Sequence, residues 1–590
     1  MPERAKSNPD DYIYDGFRPD TQDWQGREQE LAQLKAWLSD SAVRLVGIKA
    51  AGGFGKSALA KKVAEQLSDH LADRASEQAE GFRGFERTLA LTFGRAYSFS
   101  LWGRWLMAHF GQRVEDSVSD QRLVQRVVAQ LQQLRCLLIL DNVETLLTDG
   151  RQWQDTGYGE FWVRWLSSAG ESVVLVTSRE EPDVPNNLMR GCRWWPLAGL
   201  ADEPGVALLR NLEIMGERQA LGEFVGLAAG HPLLLKLAAG WLRAEEPDEP
   251  DIKYLKDVDG LNLFEFVGAH RGEPETSVGQ ILAATLARLP KQMAALLPGL
   301  SVYRRPFSRA GAAAMGSEEV TVAALRKLVK RSLLQAKKQQ VGDERIWLFE
   351  FQPLVQRYLQ AQATGEAHQR AIAHYQSIKP PTLSATDEPE ATIPYQEIFH
   401  HYCELGEYAI ALDFIRTQTD EDDRYSSCDM VLQLSGYNAI RLSQYERLTQ
   451  QWQPDNDEEK RLFSDALKAQ GDVLQFLDRR DEAIQNYDQA LAIYRQVGDR
   501  LGEANTLKAQ GLLQADAQQG VAYLQSAQTL YEQIGDFYSQ GVNLFYLGQR
   551  YAQLQQRDAA IAAFQAAASL GEQIGFAPLV EFAQKAIEEL

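Results

Sequence analysis

The sequence predicts a multidomain α/β-plus-α protein: a parallel-sheet P-loop domain, a helical domain, a winged helix and an all-α repeat array. Three observations carry this. Val43–Ala60 reads as a buried strand, a glycine-rich turn and a helix in direct succession. Further apolar strand patterns alternate with helical ones, as in a parallel sheet covered by helices. Near the C-terminus, short segments recur about every 40 residues, the mark of a solenoid.

A chain of 590 residues has room for about four domains. Its composition, 45% apolar and 24% charged, is that of a soluble globular protein. No apolar run approaches the roughly 20 residues of a membrane span, and the polar N-terminus lacks a signal-peptide core. Cys136, Cys192, Cys403 and Cys428 are scattered without a CxxC pair, which points to reduced core thiols and a cytoplasmic location. The net charge of −20 is uneven: residues 381–590 hold 15 Lys and Arg against 33 Asp and Glu, the rest 46 against 48. So acidic a C-terminal third repels phosphate backbones and argues against DNA as its partner.

The first strand carries Val43, Leu45, Val46 and Ile48. In the turn Ala50–Gly55, Gly52, Gly53 and Gly55 let backbone N–H groups curl around a phosphate without obstruction. Lys56 reaches the β/γ-phosphates, the Ser57 hydroxyl holds Mg²⁺, and a helix beginning near Ala58 adds its positive end, so Ala58 joins the binding set. Ala50 stands where the motif usually has its first glycine.

Downstream, Arg135-Cys-Leu-Leu-Ile-Leu-Asp141 is an apolar strand ending in acid, the Walker B pattern, whose carboxylate shares the Mg²⁺ with Ser57. Val173–Thr177 is a third strand followed by Ser178-Arg179; an arginine there faces the crevice of the γ-phosphate, the bland alternative being a surface pair with Glu180. Thr88–Phe93 is a further strand. Upstream, Trp24-Gln-Gly26-Arg27-Glu28 leads into a helix with Leu31, Leu34 and Leu38 on one face. After the sheet, Gly230-His231-Pro232-Leu233 opens an apolar helix with proline in its first turn.

In this order, these motifs resemble the NB-ARC-like branch of the STAND class of signal-transduction ATPases, over roughly residues 20–360. The resemblance implies ATP or ADP bound at the junction of sheet domain, helical domain and winged helix. Arg27 and Pro232 then flank the adenine, Lys56 and Ser57 hold phosphate and metal, Asp141 binds Mg²⁺, and Arg179 senses the γ-phosphate. The winged helix is also visible independently: a helix over Val320–Leu334, a strand over Leu333–Gln339, a turn at Gly342-Asp343 and a strand over Ile346–Phe351. Arg326, Lys327, Lys330 and Arg331 make its helix basic. In the resembled family this domain is a lid on ADP, with a His after the last wing strand touching the diphosphate; Gln352 stands there instead. The second Walker B acid is replaced by Asn142, with Glu144 two residues further on as the remaining candidate base, so hydrolysis is expected to be slow.

At the C-terminus, LKAQG occurs at 467–471 and 507–511, and Gly548 follows. Gly471, Ala483, Tyr487 and Ala490 recur as Gly548, Ala560, Phe564 and Ala567, spacings that resemble tetratricopeptide (TPR) repeats of a long variety. The middle copy is degenerate (Gly511, Gly520, Leu524, Ala527), and Tyr402, Ala411 and Ile415 suggest an irregular earlier unit. Stacked helix pairs form a concave binding surface, and an acidic one suits a basic peptide.

The expected organisation is a tail over 1–20, the P-loop domain over 21–200, a helical domain over 201–275 and a winged helix over 276–378. Linker and irregular repeats follow over 379–460, then TPR-like repeats over 461–590. The function this supports is a nucleotide-dependent switch using ATP/ADP and Mg²⁺, with a protein or peptide trigger on the repeats and a homo-oligomer when active. The output acts in trans or through a domain outside this chain. The alternatives are a DNA-linked winged-helix regulator and a TPR scaffold with a degenerate ATPase.

Overall fold

The computed structural model describes residues 13–590 except 16–18, 20, 22, 73–84, 94–97, 113, 116–117, 149–150, 257–266, 268–273, 317–319, 342–343, 385, 388 and 424. The chain forms two units, Met1–Met107 with Leu123–His374 and Ala108–Arg122 with Tyr375–Leu590. Among the described residues no helix is long and apolar enough to cross a membrane.

The first unit is organised by a parallel sheet of six strands: β1 (Ile13–Asp15), β2 (Leu45–Lys49), β3 (Arg87–Thr92), β4 (Cys136–Asp141), β5 (Val173–Ser178) and β6 (Cys192–Pro196). Their order is β1-β3-β4-β5-β2-β6, and every pairing is parallel. Because β5 lies between β2 and β4, the C-terminal ends of these three strands fall side by side. Sequence patterns mark the four central strands and miss both edges. Ile13–Asp15 falls in the expected tail, yet pairs with Leu89–Leu91. β6 is only five residues long and ends in proline; Trp194 lies flat on Gly47 of β2, where a Cβ would stand 2.1 Å from the ring.

Both sheet faces are covered, which is why the central strands are continuously buried rather than alternating. Helix α1 (Glu28–Ser39) places Leu31, Leu34 and Leu38, and α2 (Lys56–Ala72) places Leu59, Val63 and Leu67, against Val46, Ile48, Ile139 and Leu175. The other face is aromatic. α3 (Phe99–His109) and α5 (Thr156–Ser167) bring Phe99, Trp102 and Phe161 within 4.9–5.9 Å of one another. Asp155 caps α5 by accepting from Gly157 N–H and ties in α3 by accepting from Phe99 N–H. Between them in sequence runs α4 (Asp120–Gln133), burying Leu123, Val124, Val127 and Leu131 on one face.

Three helices follow the sheet: α6 (Asp202–Asn211), α7 (Arg218–Leu227) and α8 (Pro232–Glu245). Beyond residue 274 come helices Pro274–Ala287, Lys291–Leu300, Arg309–Met315 and Val322–Lys330, then an antiparallel pair, β7 (Gln335–Val341) and β8 (Glu344–Glu350). The helix expected to run to Leu334 stops at Lys330, because Ser332 adopts a left-handed conformation (φ 59°). The expected turn at Gly342-Asp343 lies outside the described residues. Two of the side chains that make this helix basic are engaged within the unit: Arg326 lies over the Trp347 ring at 5.5 Å, and Arg331 pairs with Glu245 of α8 at 3.3 Å.

The second unit is a succession of helix pairs. Ile393–Glu404 pairs with Tyr408–Arg416, Cys428–Leu434 with Asn438–Gln451, and Asp457–Phe476 with Arg480–Val497. Arg500–Leu513 and Ala517–Ile534 follow, then Phe537–Gln553 and Arg557–Gln573, with Ala577–Glu588 last. The glycines anticipated from spacing sit where the paired helices meet. A Cβ on Gly471 would stand 2.5 Å from the Tyr487 ring, and one on Gly548 would stand 2.6 Å from Phe564. In the degenerate copy Gly511 faces Leu524 and the Gly520 carbonyl instead. The buried tyrosines keep their hydroxyls satisfied at the rim: Tyr487 donates to Asp472 at 2.9 Å, Tyr494 to Asp465 at 2.6 Å and Tyr531 to Asn505 at 2.8 Å. The start of the segment read as linker and irregular repeats, 379–460, contributes Leu383 to this core, and a helix begins at Ile393.

Candidate nucleotide-binding site

The loop Ala50–Gly55 leaves β2 at the sheet edge where β4 and β5 also end. Gly53 (φ 82°) and Gly55 (φ 90°) take left-handed conformations that side chains rarely adopt, which turns the chain tightly enough for α2 to begin at Lys56. The Lys56 ammonium folds back to donate to the carbonyls of Ala50 (2.8 Å) and Ala51 (3.1 Å). Burial pushes its pKa down; Glu144 nearby opposes that, Arg179 reinforces it and Asp141 opposes it.

Asp141, at the end of β4, is buried and surrounded by hydroxyls. Ser57 Oγ donates to its Oδ1 at 2.6 Å, Thr177 Oγ1 to the same oxygen at 2.5 Å, and Thr92 Oγ1 to Oδ2 at 3.2 Å. Burial raises the Asp141 pKa; the three hydroxyls pull it back and Glu144 adds to the rise. A hydroxyl and a carboxylate this close form an oxygen pair suited to Mg²⁺, which usually takes one or two protein oxygens and fills its shell with phosphate and water. No larger cluster of metal-ligating side chains occurs among the described residues.

Immediately after Asp141, Asn142 is left-handed (φ 61°), and its N–H donates to Thr177 Oγ1 at 3.1 Å. That turn presents Glu144 to Arg179. The Arg179 Nε lies 3.4 Å from Glu144 Oε1, and the Arg179 backbone N–H donates to Oε2 at 3.3 Å. Arg179 is thereby engaged by Glu144 through both its side chain and its backbone. The same guanidinium packs against the loop, with Nη2 3.0 Å from where a Gly52 Cβ would be.

Three further elements reach the loop. Arg27, left-handed at the N-terminus of α1, donates to Glu30 at 2.8 Å and to the Phe54 carbonyl at 3.4 Å. The N-terminus of α8, with Pro232 in its first turn, meets the loop through His231, whose Nε2 lies 2.9 Å from the Gly52 carbonyl oxygen. Leu354, next but one to Gln352, stands 3.8 Å from the Gly52 Cβ position, which brings the helix Pro353–Gln360 to the same place. Gln352 itself precedes that helix without capping it through its side chain.

Arg27 and Arg179 thus meet the loop directly, Asp141 and Glu144 are linked to it through Ser57 and Arg179, and Pro232 and Gln352 stand at the starts of helices that touch it. The residues that sequence reasoning misses are Thr92, Thr177 and His231. Both threonines end buried strands, where a polar residue in an apolar run is the available signal. His231 precedes a proline at a helix start, the position where a capping acceptor is needed.

A match to a known protein family agrees with this geometry. Residues 27–218 match the family model of the NB-ARC domain. An uncharacterized WD repeat-containing protein of Nostoc sp. (strain PCC 7120) is 26% identical over 265 residues, 42% of this chain and 20% of its own length. The chain thus spans about a fifth of the length of the curated relative it matches. Among solved structures, a signal transduction ATPase with numerous domains (STAND) carrying a tetratricopeptide repeat sensor, from Pyrococcus horikoshii, is 15% identical, with a TM-score of 0.45. That match covers 98% of this chain and 81% of the other. The Drosophila ORC bound to DNA is 13% identical, with a TM-score of 0.29, over 57% of this chain and 87% of that one. The recognition drawn from the motifs is borne out: the chain carries an NB-ARC-type P-loop domain followed by a helical solenoid.

Proposed function

We propose that this chain is a nucleotide-dependent signal-transduction switch that binds ATP or ADP with Mg²⁺ and hydrolyses ATP slowly. The observation that carries the reading is the loop itself: Lys56, Ser57 and Asp141 lie together, and Arg27, His231, Arg179 and Leu354 all close on the same six residues. Lys56 would meet the β/γ-phosphates, Ser57 and Asp141 would hold the metal, and Arg27 and Pro232 would border the base. Bound Mg²⁺ would supply charge neutralisation for the phosphates. Ligand binding at such a junction is felt by every element bordering it, which suits a switch.

Slow turnover follows from the carboxylates. Asn142 cannot act as a base, and Glu144 is engaged by Arg179. For Glu144 to orient a water and Arg179 to meet a γ-phosphate, that pair has to separate. On this reading Gln352 replaces a histidine contact to the diphosphate, the repeats receive a protein or peptide trigger, and opening leads to a homo-oligomer. Driving such an equilibrium from 1:99 to 99:1 takes about 5.5 kcal/mol of differential binding. The DNA-regulator alternative loses support because Arg326 and Arg331 are occupied within the unit.

The test is to denature the purified protein and identify any released nucleotide by chromatography. Near-stoichiometric ADP is the expected result for a resting switch. No released nucleotide, together with no thermal shift on adding Mg·ATP, sinks the proposal and leaves a repeat scaffold.

A further inference from the structure

Sequence reasoning marks the proline of Gly230-His231-Pro232 and gives the histidine no part. The geometry points to His231 as the positioning residue that sets the peptide orientations of the phosphate loop and makes them depend on the docking of α8. This inference deepens the reading of the loop as a nucleotide site and rests on it.

The His231 ring is fully buried, and both of its nitrogens are engaged. Nδ1 accepts the N–H of Leu234 at 3.1 Å, as the cap of α8. An accepting Nδ1 carries no proton, so the neutral ring bears its hydrogen on Nε2, which donates to the Gly52 carbonyl at 2.9 Å. The edge-on ring of Phe54, at 4.5 Å between centroids, holds the imidazole in this orientation. Gly53 is what allows the approach: a Cβ there would stand 2.5 Å from His231 Cε1. Next to this bond, Leu233 N–H points to the Gly53 carbonyl at 3.4 Å.

The consequence follows from peptide geometry. In a trans peptide the C=O of one residue and the N–H of the next point in opposite directions. Drawing the Gly52 and Gly53 carbonyls toward α8 therefore turns the N–H groups of Gly53 and Phe54 away from it, and these are donors of the kind that cradle a phosphate. If α8 withdraws, both peptide planes lose their tether. His231 thus lets the helix report its position to the loop through two peptide groups, without touching the nucleotide.

Two substitutions in the full chain separate the two ring nitrogens. His231→Asn keeps a capping acceptor for Leu234 N–H but is too short to reach Gly52. His231→Gln carries an amide out to the position of Nε2 and loses the cap. Loss of one hydrogen bond predicts that His231→Asn binds Mg·ATP and ADP about fivefold more weakly. Hydrogen exchange at the Leu233 amide, which faces the Gly53 carbonyl, should also rise in the nucleotide-free protein while Leu234 stays protected by its cap, with little change in melting temperature. His231→Gln should melt lower while keeping Leu233 exchange and affinity near the starting protein. Unchanged Leu233 exchange and affinity in His231→Asn, or a Leu233 amide no better protected in His231→Gln than in His231→Asn, overturns the inference. Should either variant fail to fold, His231→Ser, another capping residue too short to reach Gly52, must still raise Leu233 exchange. If the starting protein binds neither nucleotide, the functional reading fails, while the exchange comparison still decides the role of His231.

Discussion

Gly53 in the phosphate loop and Gly471 in the repeats meet the same obstacle: an added Cβ at either would stand 2.5 Å from a ring. At Gly53 the ring is His231, the backbone is left-handed, and the loop's carbonyls accept from that ring and from the Lys56 ammonium. At Gly471 the ring is Tyr487, the backbone is helical, and the polar atoms lie at the rim, where the tyrosine hydroxyl meets Asp472. One glycine admits hydrogen-bonding geometry and the other admits packing. The first region buries Lys56 and Asp141, whose desolvation works against folding, and holds them in place with hydroxyls and carbonyls. The second buries apolar rings and derives its stability from neighbouring pairs. Polar groups kept in the interior at a cost mark the site; apolar groups kept there at a gain mark the scaffold.

The largest expected effect lies in the repeats. Tyr487→Ala empties the space over Gly471 and should cost about 3–5 kcal/mol in denaturant unfolding of the full chain, while nucleotide affinity stays within twofold or so. A loss below about 1 kcal/mol would mean the array is not held by these rings. The complementary change, Lys56→Ala, should weaken Mg·ATP binding at least about 100-fold by calorimetry and leave the melting temperature of the nucleotide-free protein unlowered. Retained tight binding would refute the assignment of the site.

Asp141→Asn sharpens the contrast further. Burial raises the Asp141 carboxyl above its ordinary 3.8, so the folded chain binds that proton more readily than the unfolded one. In the nucleotide-free protein this group therefore costs stability at neutral pH, and the cost fades as pH falls through the raised pKa toward 3.8. The variant should melt higher than the starting protein at pH 7, lose that part of the pH dependence, and lose Mg²⁺-dependent nucleotide binding. A lower melting temperature at pH 7 would show that the hydroxyl partners outweigh burial. The smallest effect is Asp155→Ala, which removes the cap of α5 and the tie to α3; about 1 kcal/mol of stability should go, with no change in nucleotide affinity.

Much of the site is legible in the sequence because its motifs are local. A strand, a glycine turn and Lys56-Ser57 are contiguous, and an apolar run ending in Asp141 identifies itself. The repeats are legible because the same constraint recurs: Gly471 and Tyr487 come back as Gly548 and Phe564. The residues that escape notice share a different property. Thr92, Thr177 and His231 act on groups far away in the sequence, and nothing local distinguishes a strand-end threonine that donates to Asp141 from one that does not. β1 and β6 escape because three- and five-residue edge strands carry too short a pattern to read.

Periodicity and backbone preference, which act over a few residues, are enough to determine the class of the fold, the phosphate loop, the Walker B strand and the helix-pair array from sequence alone. The pairing of Glu144 with Arg179 is decided only by tertiary structure. So is the hydroxyl shell of Asp141, and so is the meeting of α1, α8 and the helix Pro353–Gln360 on one loop. These depend on which strand ends lie side by side. That order, β4 beside β5 beside β2, is set by how the crossover helices pack on the two sheet faces, which no single segment encodes.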